Sequence, residues 1–175
     1  MPLSDSLRRY VEESCLPLPS PKLRGIPVVI DTNVILDLVF WNDPRAETLK
    51  HLLETRQLTA VRDRESMLEL AEVAARPHFL QSDEKSGQLV ADWCLRSLAV
   101  DEAAVRHQES TLKVRCKDPL DQKFLSLAVA AGAGFLVSKD KLVLKAGKKL
   151  RRFGILCVKP EDLSDALAQQ KKQQP

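Results

Sequence analysis

The 175-residue chain has few aromatic residues and no long apolar run. Phe, Trp and Tyr make up only 5% of it, so its hydrophobic core must be built mainly from aliphatic side chains. No run approaches the ~20 apolar residues that a transmembrane helix needs. The polar N-terminus also lacks the apolar stretch of a signal peptide. We therefore expect a cytoplasmic protein that is not associated with a membrane.

The cysteines and histidines show no spacing that is typical of a metal site. The four cysteines lie far apart without a C-x-x-C pair, which argues against a zinc motif and against a disulfide framework. We expect buried thiols in a reducing compartment, and surface or packing roles for the histidines. The positions concerned are Cys15, Cys94, Cys116, Cys157, His51, His78 and His107.

The net charge of +3 does not by itself indicate a nucleic-acid-binding protein, but the basic residues are unevenly distributed. Lys141, Lys145, Lys148 and Arg152 recur at helical spacing, so a helix would gather them on one face, close to Lys139. Such a stripe is often only a solvated helix face. Beside an acidic site, however, it would suit contacts with the phosphates of a nucleic acid.

Alternating prolines in residues 16–21 separate a short amphipathic helix from the rest of the chain. Proline disfavours a helix there and favours an extended linker. We expect residues 1–25 to form this helix and linker, and residues 26–168 to form one folded domain. Residues 169–175 are rich in Gln and Lys and are predicted to be a disordered tail.

Short apolar strands alternate with helical patterns along the folded domain. This alternation predicts an α/β fold with three layers, in which a central, mostly parallel sheet is flanked by helices. Ligands of such sheets bind at the carboxyl ends of the strands. The predicted strands are residues 28–30, 58–61, 135–137 and 155–158, and the predicted helices are residues 44–56, 66–76, 82–98, 118–131, 142–152 and a last one from residue 160.

Two aspartates come just after predicted strands. Asp31 directly follows residues 28–30, and Asp140 comes three residues after residues 135–137. A single aspartate at the end of a strand is usually a turn or helix-cap residue. If both strands are parallel, however, the two carboxylates emerge at the same edge of the sheet, where they could act together.

Three further acids deserve comparison with these two. Asp118 fits the N-cap of the strongest predicted helix. Asp121 falls on the packed side of that helix, where a charge is costly unless a cation or a donor meets it. Glu69 is not distinguished by its pattern, because it shares a helix face with Glu65 and Glu72, and such an acidic face is ordinarily solvated.

Four segments resemble motifs of PIN domains. Residues 28–36 resemble the first strand and first acidic motif of that family, and residues 117–125 resemble its third motif. Residues 136–141 resemble the fourth motif, and residues 155–163 the closing strand and helix. The resemblance covers residues 28–163 and is closest to the PIN subfamily of toxins from toxin–antitoxin systems.

The resemblance implies a metal-dependent endoribonuclease with a three-layer α/β/α fold. The acidic residues of the family correspond to Asp31, Glu69, Asp121 and Asp140, with Asp118 as an auxiliary acid. Mg²⁺ or Mn²⁺ suits such an all-oxygen site. The expected reaction is the hydrolysis of an RNA phosphodiester bond by a water in line with the leaving oxygen.

The resemblance also implies supporting residues and partners. Asn33 and Ser138 would orient the carboxylates, and the basic residues from Lys139 to Arg152 would contact RNA. The implied partners are single-stranded or structured RNA, a cognate antitoxin and a second copy in a homodimer. The chain departs from the subfamily at Leu120 and Gln122, where several relatives carry an acid, and these changes could alter metal affinity or substrate choice.

Other classes of protein fit the sequence less well. A haloacid-dehalogenase-like phosphatase needs a second acid two residues after its first aspartate, and here that position is Asn33. A response-regulator receiver needs a mid-chain phosphoacceptor aspartate after a strand, and we find no convincing one. The alternative that stays open is a catalytically weak PIN domain that acts as an RNA-binding or interaction module. Eroded acids would favour it, whereas all four are present.

Overall fold

The computed structural model describes residues 2–173 of the chain, and a single parallel sheet lies at its centre. The strands follow one another across the sheet in the order β3-β2-β1-β4-β5, and each neighbouring pair is parallel. The α/β class and the parallel sheet predicted from the sequence are therefore confirmed. The strands are β1 (Ile26–Ile30), β2 (Leu58–Arg62), β3 (Leu98–Ala99), β4 (Phe135–Val137) and β5 (Leu156–Val158).

Helices connect the strands and cover both faces of the sheet. The α-helices are α1 (Asp5–Tyr10), α2 (Thr32–Leu36), α3 (Glu47–Glu54), α4 (Arg64–Ala74), α5 (Asp83–Arg96), α6 (Glu102–Thr111), α7 (Gln122–Ala130), α8 (Lys141–Gly147) and α9 (Leu163–Gln173). π-Helical turns extend α1 and α2, at Val11–Cys15 and Asp37–Trp41. Short 3₁₀ helices lie at Pro44–Ala46, Pro119–Asp121, Lys148–Phe153 and Pro160–Asp162. Among residues 2–173, no helix is long and apolar enough to cross a membrane.

The core consists of two hydrophobic clusters, one on each face of the sheet. Because strand side chains alternate between the faces, Val28 and Ile30 lie in the first cluster and Val29 lies in the second. Residues of α1 to α5 and of α9 complete the first cluster, and residues of α6, α7 and α8 complete the second. The fold therefore has the three layers that were predicted.

The N-terminal segment, which we expected to lie outside the domain, packs into the first cluster. Leu7, Val11 and Cys15 are buried there. The ring of Tyr10 lies so close to Gly87 in α5 that a Cβ at this glycine would come within 2.8 Å of it. The apolar side of α1 and its π-helical turn needs burial, and α5 provides the surface. The segment therefore shares the core of the domain.

The C-terminal segment is also more ordered than we expected. Helix α9 continues to Gln173, so residues 169–173 lie in a helix where we expected a disordered tail. Burial of Leu163 and Leu167 anchors the helix, and the amide of Gln170 donates a hydrogen bond to the Gly134 carbonyl at 3.0 Å. The rest of the predicted tail, residues 174–175, lies outside the described residues.

Several other elements differ from the sequence-based prediction. The helix predicted to reach residue 98 ends at Arg96, and β3 begins at Leu98. Helix α2 was not predicted because its residues 34–36 are all buried and show no helical periodicity. Helix α6 was missed for the opposite reason, since it buries little besides Val105. The cysteines are free as predicted, and three of the four are fully buried.

Arg62, the last residue of β2, is a buried cation whose partners are carbonyl oxygens. Its side chain is only 1% exposed. The guanidinium donates to the carbonyls of Cys94 and Ser97 at the C-terminal end of α5, and to the Leu18 carbonyl at 3.0 Å. Carbonyls at a helix C-terminus carry partial negative charge, so they suit a cation. Burial lowers the pKa of Arg62. The residue thus ties the N-terminal segment and α5 to the sheet.

We expect Arg62→Ala to lower the free energy of unfolding by roughly 2–4 kcal/mol, because it leaves a cavity and several carbonyls without their donor. Urea denaturation measures this loss. Arg62→Met, which keeps much of the volume, should lose less, and Arg8→Ala on the exposed side of α1 should change stability by about 0.5 kcal/mol at most. Equal stabilities for Arg62→Ala and Arg8→Ala would contradict this role.

Candidate active site at the carboxyl edge of the sheet

The site begins where the chain reverses its direction of progress through the sheet. The strand β2 lies on one side of β1, and β4 lies on the other. Parallel sheets have an open crevice at the carboxyl ends of the strands that flank such a reversal. In the register of β1 and β4, Ile30 lies opposite Val137. Asp31 and Ser138 are the next residues of the two strands, so both enter this crevice.

The carboxylate of Asp31 is buried and held by hydrogen bonds. Asp31 is only 4% exposed. The hydroxyl of Ser138 donates to Oδ2 at 2.6 Å, and the backbone N–H of Asn33 donates to Oδ1 at 3.3 Å. The backbone N–H of Asp31 donates to the Val137 carbonyl at 3.0 Å, which continues the ladder between β1 and β4 by one residue. The orientation of this acid is therefore set by the sheet.

Ser138 also connects Asp31 with Asp140. The backbone N–H of Asp140 donates to the Ser138 hydroxyl oxygen at 3.0 Å. The Asp140 carboxylate accepts from the N–H groups of Leu142 at 2.7 Å and Val143 at 3.1 Å, and so caps helix α8. The cap and the serine together place an exposed carboxylate beside a buried one.

Two further acids of this region, Asp118 and Asp121, lie at the start and the end of the 3₁₀ turn before α7. Asp118 accepts from the N–H of Leu120 at 2.9 Å and acts as the N-cap that its sequence context predicted. Asp121 is partly buried, and this burial, together with the negative charges of Asp31 and Asp118, raises its pKa to about 6. The charge of Asp140 adds to this effect. Asp121 is therefore close enough to the other acids to be repelled by them.

The pKa of Asp31 is raised as well. Burial is the main cause, and the charges of Glu69 and Asp140 add to it, while the hydrogen bonds from Ser138 and Asn33 act in the opposite direction. The four acids predicted from the sequence, Asp31, Glu69, Asp121 and Asp140, thus share one electrostatic environment.

Glu69 reaches this environment from α4, in the first helical layer. Its carboxylate forms an ion pair with the ammonium of Lys123, which comes from α7 in the second layer. The pair therefore links the two layers across the edge of the sheet. A second lysine, Lys139, pairs in the same way with Asp37, a buried acid in the π-helical turn after α2. Glu69 and Asp37 are thus each paired with a lysine ammonium.

Asp63 and Asp37 were not predicted as members of the site. Asp63 directly follows β2 at the same edge, and it caps α4 by accepting from the Ser66 N–H at 2.9 Å. Its other carboxylate oxygen is buried, and no hydrogen-bond partner for it lies within the described part of the chain. Its position after a predicted strand was a usable signal. Asp37 had no such signal, because it lies in a helical segment that the sequence did not reveal.

Two groups of predicted supporting residues behave differently from the expectation. Asn33 orients Asp31 through its backbone N–H, while its side chain is exposed. The basic stripe is interrupted, because α8 ends at Gly147 and a 3₁₀ helix carries Lys148 and Arg152. A 3₁₀ helix has three residues per turn. The spacing that would place the basic residues on one face of an α-helix therefore does not align them here. Lys141 and Lys145 stay exposed on α8 itself.

The donor chemistry of the site fits a hard divalent cation, since carboxylate oxygens are the ligands that Mg²⁺ and Mn²⁺ prefer. The mutual repulsion of Asp31, Asp121 and Asp140 is also what a bound cation would relieve. The acidic side chains are not arranged around a position for a metal ion, however. Among residues 2–173, no three acidic, histidine or cysteine side chains already have an arrangement that could hold a metal ion.

The family model described as PIN domain matches residues 27–142, which is more than half of the chain and includes all four acids. The chain belongs to the PIN domain family. No curated protein matches it. PIN domains are generally nucleases, which are hydrolases that act on nucleic acid, and they typically use divalent metal ions. The nuclease class predicted from the sequence is confirmed at this level.

We expect Asp121→Asn to stabilise this PIN domain at neutral pH when metal is chelated. The pKa of Asp121 is about 6 in the fold against an ordinary value of 3.8, so the unfolded chain loses this proton first as the pH rises. The stability of the wild type should therefore fall between pH ~4 and ~6 and stay lower above that range. Solvent screening of this partly exposed group reduces the effect to about 1 kcal/mol, or about 2–4 °C in Tm.

Thermal denaturation of both proteins in chelator at pH 4 and at pH 7.5 measures this difference. The variant should melt higher than the wild type at pH 7.5 only. Asp165→Asn, on the exposed side of α9, serves as the control and should not change the pH dependence. A variant that melts at the wild-type temperature at both pH values would show that Asp121 is not repelled in the fold.

We expect Ser138→Ala to weaken Mn²⁺ binding by about 10–100-fold, because Asp31 and Asp140 lose the hydroxyl that orients them. Isothermal titration calorimetry measures the affinity. Ser126→Ala provides a matched control, since Ser126 is also fully buried but its hydroxyl has no hydrogen-bond partner in residues 2–173. If both variants bind Mn²⁺ like the wild type, Ser138 does not orient a metal site.

Proposed function

We propose that this PIN domain is a metal-dependent endoribonuclease that uses Mg²⁺ or Mn²⁺ and is the toxin of a cytoplasmic toxin–antitoxin pair. The observation that supports the proposal best is the buried Asp31 carboxylate at the reversal of the sheet, which Ser138 joins to Asp140. A buried carboxylate without a cationic partner is costly. A divalent ion that bound there would offset this cost.

In the proposed reaction each side chain has a stated task. Asp31 and Asp140 would be the principal ligands of the ion, and Glu69 and Asp121 would complete the acidic site. A bound ion would lower the pKa of the attacking water and stabilise the charge on the leaving oxygen. Ser138 holds the two principal acids in place, and the sheet keeps the Asp31 carboxylate away from bulk water.

The basic residues beyond Asp140 support the choice of a polyanionic substrate. Lys141 and Lys145 are exposed on α8, whose N-cap is Asp140, so they lie beside the acidic site. Contacts of this kind with phosphates supply affinity that falls as salt rises. Lys139 is paired with Asp37 and is less available for phosphate. Single-stranded RNA is the preferred target in this proposal, because its bases can be splayed out and contacted.

The partners implied by the resemblance stay predictions. A cognate antitoxin would have to cover the acidic edge in order to inhibit cleavage, and a homodimer would have to leave that edge open to RNA. Co-expression with a candidate antitoxin and sedimentation of the purified chain would test these two predictions separately from the reaction.

A second function is favoured by two observations. Glu69 is paired with Lys123, and the acids are not gathered around a metal position. A catalytically weak PIN domain that binds RNA or another protein would need no such gathering. The two functions differ in their response to metal. A nuclease site should gain about 2.7 kcal/mol of stability at a Mn²⁺ concentration of 100 times Kd, whereas a binding module need not respond.

We expect Asp31→Asn to reduce metal-dependent RNA cleavage by about 100-fold or more, because it removes the central charge of the site. The assay uses end-labelled single-stranded RNA, transfer RNA and DNA, each with Mg²⁺, with Mn²⁺ and with chelator. Asp165→Asn is again the control and should cleave like the wild type. Cleavage in chelator, or by Asp31→Asn at the wild-type rate, would refute the metal-dependent nuclease. Preference for DNA would overturn the RNA assignment alone.

A further inference from the structure

Lys123 is the cation that lies deepest in the acidic region. It belongs to α7, two residues after Asp121, and its ammonium contacts the carboxylate of Glu69. Its side chain is only 15% exposed, compared with 33% for Lys139, the other lysine that pairs with an acid here. A lysine side chain ordinarily keeps its ammonium in water. The burial of the Lys123 side chain indicates that contacts within the site hold its ammonium in place.

Two further contacts fix the ammonium of Lys123. It donates a hydrogen bond to the Leu120 carbonyl, in the 3₁₀ turn that carries Asp121. It also lies 5.2 Å from the ring centre of Phe124, which is within the range of a cation–π interaction. A carboxylate, a carbonyl and a ring therefore surround one ammonium. These contacts come from α4, α7 and the turn before α7, so the position of the charge depends on how the two helices pack.

We propose that Lys123 is a resident cation of the active site, which neutralises Glu69 and leaves Asp31, Asp121 and Asp140 as the carboxylates available to a single divalent ion. The inference rests on the metal-dependent nuclease proposed above. In this inference the cation that partners Glu69 is a lysine and not a metal ion.

The charges explain why a second divalent ion would not be added. An ion that bound Glu69 while Lys123 stayed in place would lie a few ångströms from an ammonium, and like charges at that distance repel each other strongly in a partly buried site. An ion that displaced Lys123 would break its contacts with Leu120 and Phe124. The ammonium would then have to find another partner or solvent. The resident lysine thus favours one ion over two.

Mn²⁺ titration of the metal-free 175-residue chain by isothermal titration calorimetry tests this directly. The wild type should bind one ion per chain. Lys123→Met should bind two, because Glu69 becomes free to act as a ligand. Lys123→Arg, which keeps the charge, should bind one. Lys117→Met, at an exposed lysine on the segment before Asp118, is the control and should also bind one.

A second variant covers the case in which Lys123→Met does not fold. Glu69→Gln should still bind one Mn²⁺ with an affinity within about threefold of the wild type, because the carboxylate is engaged by Lys123 and not by the ion. A loss of more than tenfold would overturn the proposal.

The other outcomes distinguish the role of Lys123 from the metal-dependent nuclease on which it rests. Two ions on the wild type, or one ion on folded Lys123→Met, would overturn the role of Lys123 and leave the metal-dependent nuclease intact. No ion on the wild type would remove the basis of both.

Discussion

The parallel pairing of β1 with β4 is the constraint on which the acidic site depends. It aligns the ends of two strands that are more than a hundred residues apart in the chain, so that the Ser138 hydroxyl meets the Asp31 carboxylate at 2.6 Å. A slip of one residue in a strand moves its side chains to the opposite face of the sheet. The two apolar clusters prevent such a slip, because Ile30 and Val29 belong to different ones. The core thereby sets the geometry of the site.

Four of the five strands, and the two aspartates that follow β1 and β4, could be predicted because they follow from local patterns. A buried parallel strand is a short run of β-branched and other apolar residues, and ligand-binding residues follow its carboxyl end. Glu69 could not be found in this way. It enters the site because α4 packs against α7, a long-range contact that leaves no periodic trace in the sequence. Its membership was predicted from the family resemblance alone.

The missed elements have equally physical explanations. Helix α2 and the turn after it are apolar on nearly every side, so the amphipathic signal of a helix is absent there and Asp37 was overlooked. The N-terminal segment was set apart because prolines predict a linker. Residues 19–24 form neither helix nor strand, but the helix before them buries its apolar side against α5. Prolines indicate that the connecting segment is not helical. They do not determine whether the helix before that segment packs against the domain.

The two adjacent residues at the end of β2 show how the fold keeps its acidic edge negative. Arg62 and Asp63 carry opposite charges, yet Arg62 directs its guanidinium to the carbonyls of Cys94 and Ser97 in the first helical layer. Burial raises the pKa of Asp63, and its hydrogen bonds with Ser66 act in the opposite direction. The alternation of side chains along an extended chain keeps the pair apart. Had Arg62 neutralised Asp63, the edge would attract a divalent ion less strongly. The buried arginine therefore stabilises the fold without reducing the negative charge that a metal-dependent site requires.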